Sequence, residues 1–275
     1  MPTSPSSWRR WRSRLAWFAL LPAAGWAAAS AALWFGQERL LFHPVPLPPD
    51  TVLATAPDVQ ERVVEVPGAR LSVLELRHPE PRGVVFFLHG NGGNLREWFV
   101  NLDVYRRTQV DLVMFDYRGY GKSSGRIESE AQLHSDVRAA WQSIAPLYQG
   151  KRRVVHGRSL GTALAAQLSV AIKPELTVLV SPYKSLEALV GELYPWVPSF
   201  ALRYPLHTDR AIMQMRTPLL IVHGERDTFI TPEHARMLAS LVPDTQLVLV
   251  PAAGHGNIVA TAGYRNALRV QLDAQ

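Results

Sequence analysis

From Arg62 onward the chain alternates short apolar runs with segments whose apolar residues recur at helical spacing. "RVVEV" and "RLSVLEL" flank Pro67-Gly68, a pattern that predicts an opening β-hairpin. Six near-continuous runs follow: "GVVFFLHG", "VDLVMFDYRG", "RRVVHG", "LTVLVSP", "PLLIVHG" and "TQLVLVP". Strands read this way when helices cover both of their faces. Helical spacing predicts helices over 94–108, 129–147, 159–172, 232–241 and 258–272. The expected fold class is therefore α/β, a mostly parallel central sheet with helices on both faces, whose ligands gather at the carboxyl ends of the strands.

Two segments depart from that rhythm. The stretch from Leu15 to Phe35 carries no charge, and Arg9, Arg10, Arg12 and Arg14 precede it. As a helix it would measure roughly 31 Å, about the thickness of a bilayer's hydrocarbon core. Trp11, Trp17 and Trp34 lie near its ends, where amphipathic rings favour the interface. Residues 1–36 are expected to be a membrane anchor, with a cytoplasmic N-terminus and the domain 37–275 on the far side. A cleaved signal peptide is the alternative, because Ala27-Ala28-Ala29 before Ser30 resembles a cleavage site, and the domain would then be secreted. The second departure is an insertion over about 182–217, where Tyr194, Trp196, Phe200 and Tyr204 stand among prolines. It reads either as a cap over a pocket or as a pair of short helices packed on the sheet. A proline-rich linker, "HPVPLPPD", spans His43 to Asp50.

Charge and cysteine content narrow the function. The net charge of +6 falls to about +2 without the four N-terminal arginines, and no basic stripe interleaves with aromatics, so nucleic acid is not an expected partner. The chain has no cysteine, which excludes disulfides and thiolate catalysis.

The chemistry centres on Gly157-Arg158-Ser159-Leu160-Gly161, a G-x-S-x-G turn between an apolar strand and a helix. A strained turn there holds a serine up as a nucleophile, and side chains at either glycine would strike neighbouring backbone. His89, His156 and His223 each end a strand, but in this architecture the order runs serine, acid, histidine. His89 and His156 precede the serine and read as structural; His223 precedes the best acid. That acid is Asp227, in the loop after "PLLIVHG", with Glu225 and Asp244 as alternatives. His255 follows in the glycine-flanked loop after the last strand. The expected oxyanion donors are the backbone N–H groups of Leu160 and of Asn91 in "HGNGGN". "FDYRGYGKSSG" suggests a phosphate loop, but Asp116 stands where G-x-x-x-x-G-K-[ST] needs glycine, so 116–124 reads as a structural loop bordering the pocket.

Together "HGNGGN", "FDYRGYGKSSG", "GRSLG", "GERDTFITP" and "GHG" resemble the α/β-hydrolase superfamily, and within it the membrane-anchored branch of small ABHD-type serine hydrolases. The resemblance covers about residues 37–272. It implies an α/β-hydrolase fold with Ser159, Asp227 and His255 as catalytic triad and Asn91 and Leu160 at the oxyanion site. The resemblance is not specific for substrate, since such hydrolases include esterases, lipases, thioesterases and peptidases; the apolar aromatics of the insertion and the expected anchor favour an acyl ester, thioester or lipid-like substrate, and no metal or organic cofactor is implied. The insertion is short beside the caps of the superfamily's lipases, which argues against a bulky triglyceride. A peptidase or amidase, or a non-catalytic membrane-tethered binding protein on the same scaffold, are the alternatives.

Overall fold

Every strand of the sheet is nucleated by one of the apolar runs, and their pairing gives the fold. The computed structural model describes residues 6–273, with side chains described from residue 20 onward apart from 22 and 23. Helix α1 (Ser6–Leu41) leads into β1 (Val59–Val66) and β2 (Ala69–Leu76), an antiparallel hairpin that turns at Pro67-Gly68 and pairs Val66 with Ala69. Then follow β3 (Gly83–Leu88), α2 (Leu95–Trp98), α3 (Asp103–Thr108), β4 (Val110–Phe115) and α4 (Glu130–Gln142). The second half adds β5 (Arg152–Arg158), α5 (Gly161–Ile172), β6 (Leu176–Val180), α6 (Leu186–Leu193), α7 (Thr208–Ile212), β7 (Leu219–Gly224), α8 (Pro232–Leu241), β8 (Gln246–Val250) and α9 (Ala262–Asp273). The eight strands form one sheet in the order β1-β2-β4-β3-β5-β6-β7-β8. β2 pairs antiparallel with β4, and every later pairing is parallel.

Alternation along each strand sends side chains to two separate cores. In β3, Val84, Phe86 and Leu88 pack beneath α4, α5 and the insertion, with Trp141 and Leu164. Val85 and Phe87 face the opposite way, with Met114, Tyr264 and Leu268. Both faces of the central strands are thereby dry, which is why their sequences show no polar alternation.

Three expected helices are interrupted, and that over 258–272 is a 3₁₀ turn, Ile258–Ala260, followed by α9. The single helix expected over 94–108 is two short ones, α2 and α3, because Asn101 takes a left-handed conformation (φ 58°) between them. The helix expected over 129–147 ends at Gln142 and resumes as a 3₁₀ turn, Ala145–Tyr148. The insertion contributes α6, α7 and a 3₁₀ turn, Ser199–Ala201. Its Tyr204 is fully buried in the core, whereas Tyr194, Trp196 and Phe200 are exposed.

Helix α1 spans the segment expected to be an anchor. Among the described residues, no helix is long and apolar enough to cross a membrane. The span from Leu15 to Phe35, the arginines before it and the alternative cleavage signal lie partly outside the described side chains. The helix continues beyond that span into Gln37, Glu38 and Arg39. That last turn docks on the insertion. Gln37 Nε2 donates to Ala201 O (2.8 Å), Arg203 N donates to Gln37 Oε1 (2.8 Å), and Tyr204 Oη donates to Glu38 (2.8 Å).

Candidate active site

The turn after β5 is strained where the sequence supplies glycines to permit it. Ser159 sits at φ 49°, a left-handed conformation that β-carbon-bearing residues rarely adopt. A Cβ at Gly161 would lie 2.1 Å from Leu88 O, and one at Gly157 would lie 2.4 Å from Gly161 O. The glycines thus let α5 start directly against β3 and β5. Ser159 N–H donates to Val180 O, and the hydroxyl of Thr162 donates to Ser159 O (2.6 Å), which fixes the turn on both sides.

Asp227 and His255 reach this turn from two loops laced together. Glu225 N donates to Val250 O and Arg226 N to Ala253 O, and Gly224 approaches Ala253 too closely for any side chain. Ser159 Oγ lies 3.0 Å from His255 Nε2, and His255 Nδ1 lies 2.8 Å from Asp227 Oδ2. The other carboxylate oxygen accepts from the N–H groups of Phe229 (3.0 Å) and Ile230 (2.9 Å). Asp227 is buried; the alternatives Glu225 and Asp244 are exposed. Burial alone would raise the Asp227 carboxyl pKa. Hydrogen bonds from His223, His255 and Ile230 N–H outweigh it and hold the group well below the ordinary carboxylate range.

The remaining predicted residues fall around this centre. The backbone N–H groups of Leu160 and Asn91 donate to no protein acceptor among the described residues. The Asn91 side chain has a structural task the sequence did not reveal. Its Oδ1 accepts from His43 N (3.0 Å), Gly92 N (3.0 Å) and Tyr120 Oη (2.8 Å), while Nδ2 donates to Leu41 O. The glycine-rich loop is thereby tied to the chain leaving α1, and a short parallel bridge between Pro44 and Gly93 extends the tie. His89 is buried, its Nδ1 on Gly90 O (2.8 Å), and burial lowers its pKa to about 4. His156 stacks on Phe87 and meets Tyr264 Oη (3.2 Å). In the 116–124 loop, Asp116 Oδ1 accepts from Leu95 N (3.0 Å), and burial raises that carboxyl to about 7.

Two contributors escaped the sequence reading. His223 Nε2 lies 3.5 Å from Asp227 Oδ2 and 2.8 Å from Ile230 O, a second imidazole on the acid. The four-residue spacing across "HGERD" was the available signal. Arg158, at the variable position of the turn, donates through Nη2 to His255 O (2.9 Å), and nothing in the motif marks it. Among the described residues no group of His, Asp or Glu is arranged to hold a metal ion.

A serine, an imidazole and a carboxylate thus stand in hydrogen-bonded series at the carboxyl edge of the sheet, and independently this chain is similar to hydrolases. Residues 79–208 match the family model described as "Serine aminopeptidase, S33". "Uncharacterized protein Rv2307c" of Mycobacterium tuberculosis is 32% identical over 252 residues, covering 88% of this chain and 86% of that protein. "Alpha/beta hydrolase domain-containing protein 17C" of Mus musculus is 28% identical over 70% of this chain and 60% of its own length. The esterase Pf2001 of Pyrococcus furiosus shares the fold with a TM-score of 0.67 at 18% identity, over 84% of this chain and 97% of that one. The chain belongs to the α/β-hydrolase superfamily.

Proposed function

We propose that this protein is a serine hydrolase that cleaves a carboxylic ester or thioester, with an acyl-chain substrate, through an acyl-enzyme. The observation that carries the reading is the series Ser159 Oγ, His255 Nε2, His255 Nδ1, Asp227 Oδ2, at 3.0 and 2.8 Å. His255 takes the hydroxyl proton as Ser159 Oγ attacks the carbonyl carbon. The N–H groups of Leu160 and Asn91 hold the resulting oxyanion, a contribution of roughly 10²–10³ in rate per donor. When the tetrahedral intermediate collapses, the alcohol or thiol leaves with the proton from Nε2. Water then attacks the acyl-enzyme, gives a proton to Nε2, and Ser159 recovers it as the acid departs. Asp227 fixes the tautomer that leaves Nε2 free to accept.

The N-terminal helix is read as the element that holds the domain at a membrane, N-terminus cytoplasmic. Support comes from the arginine cluster before its apolar run and from exposed Leu20, Leu21, Trp26 and Phe35. Trp26 also meets exposed Phe200 of the insertion (5.9 Å between rings), so helix and insertion offer one apolar surface. Retention of the full chain in a high-salt-washed membrane pellet is the expected result; complete release would overturn this part of the reading.

A fluorophosphonate probe is expected to label the wild type and not Ser159→Ala. p-Nitrophenyl esters of medium chain length are expected to outpace the acetate. Folded protein that never labels would remove the hydrolase reading, and a preference for acetate over every longer ester would remove the acyl-chain substrate. A peptidase or amidase is the second reading, favoured by the "Serine aminopeptidase" description of the matching family model. Faster cleavage of aminoacyl amides than of esters would select it.

A further inference from the structure

Arg158 is buried, with 8% of its surface exposed, yet among the described residues no carboxylate stands within ion-pair distance of it. Its guanidinium lies 4.9 Å over the Trp98 ring. Nη2 is spent on His255 O (2.9 Å) and, at 3.5 Å, on Gly256 O. Nε is buried with no hydrogen-bond partner, and Nη1 makes no hydrogen bond to the described protein. A desolvated charge with idle donors is costly unless something pairs with it.

What Arg158 borders is a cavity of about 330 Å³, of a size ordinary for small-molecule sites. Its buried lining is otherwise uncharged: Phe87, Tyr105, Met114, Tyr264 and Leu268. The two acids of the wall, Glu97 and Asp103, are both exposed at the rim, and Asp103 faces Arg106 (3.6 Å). Arg265, also exposed, is turned onto Ala260 O. Charge inside the cavity is thus a single cation set in apolar walls. The space lies beside the nucleophile and apart from it. Ser159 is not among its lining residues, and Gly90 stands between Trp98 and the serine, where a Cβ would lie 2.8 Å from the indole ring and 3.4 Å from Ser159 Cβ.

We propose that this cavity binds an apolar carboxylate, a medium-chain or aromatic acid, with its anionic end on Arg158 and its body against Phe87, Met114, Tyr264 and Leu268. Arginine is suited to this task because its planar donors meet a carboxylate's two oxygens. The same guanidinium holds the carbonyl of His255, so a bound acid also steadies the loop that carries the imidazole. Nothing here depends on turnover at Ser159.

The test is calorimetric titration of the full chain carrying Ser159→Ala, with octanoate and with octanol as its neutral counterpart. Octanoate is expected to bind saturably. Adding Arg158→Met should weaken octanoate by at least about tenfold while octanol moves by less than about twofold. Val259→Trp, which puts bulk into the cavity and keeps the arginine in the chain, should abolish octanoate binding. If Arg158→Met does not fold, the Val259→Trp result decides the matter alone. Octanoate that binds equally with and without Arg158, that survives Val259→Trp, or that shows no saturable binding overturns the proposal. Because Ser159 is absent throughout, failure here leaves the hydrolase reading standing, and the fluorophosphonate experiment judges that separately.

Discussion

Replacing Asp227 by asparagine separates what the carboxylate does for the fold from what it does for the imidazole. In the folded chain it accepts from His255 Nδ1 at 2.8 Å and from the N–H groups of Phe229 and Ile230 at 3.0 and 2.9 Å. Asparagine keeps a carbonyl oxygen for the two amides, so the loop survives. Its NH₂ then faces His255 Nδ1, which must accept rather than donate. The ring proton moves to Nε2, the nitrogen facing Ser159, and the hydroxyl loses its base. The expected loss in kcat is about 10⁴-fold, or about 5.5 kcal/mol of transition-state stabilisation, with little change in KM. Stability at pH 7 should fall by about 1–3 kcal/mol, since charge-assisted hydrogen bonds are lost but a buried charge is removed as well. The sign with pH follows from the depressed carboxyl pKa. Its stabilising contribution is present above the unfolded value of about 3.9 and fades as pH falls below it. The gap between wild type and variant should therefore narrow below about pH 4. Stopped-flow acylation by a p-nitrophenyl ester measures the first effect, and urea unfolding at pH 7 and pH 3 measures the second. A folded variant whose kcat stays within tenfold of wild type would refute the orienting role.

Three further outcomes are expected. Gly161→Ala places a Cβ 2.1 Å from Leu88 O and should cost about 2–4 kcal/mol in urea unfolding, with labelling of Ser159 largely lost; Gly256→Ala, whose Cβ meets nothing within 4 Å, should stay within about 0.5 kcal/mol. Asp116, raised to about 7 by burial, keeps its proton on folding at mildly acidic pH and weighs against the fold as pH climbs towards 7. Asp116→Asn should therefore exceed wild type on the order of 2 kcal/mol at pH 8 and match it near pH 4, by urea unfolding at both. Asp136→Asn breaks the buried pair in which Arg118 meets both carboxylate oxygens at 2.6 and 2.9 Å, and should cost about 3–5 kcal/mol; the double variant Arg118→Met/Asp136→Leu should cost less, because no charge is left unpaired.

The strands were legible because both-face burial leaves an unbroken apolar run, and β3 to β8 each fall within one except β5, which runs one residue past its own to Arg158. The site residues were legible through position: each of Ser159, Asp227 and His255 stands just beyond a strand end, in loops whose order along the chain could be read without coordinates. What escaped depends on contacts between distant segments. No local pattern announces the left-handed Asn101 that splits α2 from α3. Tyr204 shares its aromatic character with exposed Trp196 and Phe200, and only packing against Phe42 and the end of α1 separates their fates. The second imidazole on Asp227 was hidden because His223 sits at a strand end like His89 and His156, which do quite different things. Arg158 was hidden because the motif leaves its position free.

The hydrogen bonds that Asn91 donates to Leu41 O and accepts from His43 N bear on how this domain can be cut from its N-terminal helix. A fragment that starts at Val52 retains all eight strands and the series Ser159, His255 and Asp227, and by outward signs it would look whole. It would nonetheless have lost half the side-chain hydrogen bonds of Asn91, and Phe42 from beside Tyr204, so its weakness would emerge as slow acylation together with lower stability. Anyone trimming the chain for solubility should keep the last turn of the helix, or the loss of those ties will be mistaken for a property of the intact protein.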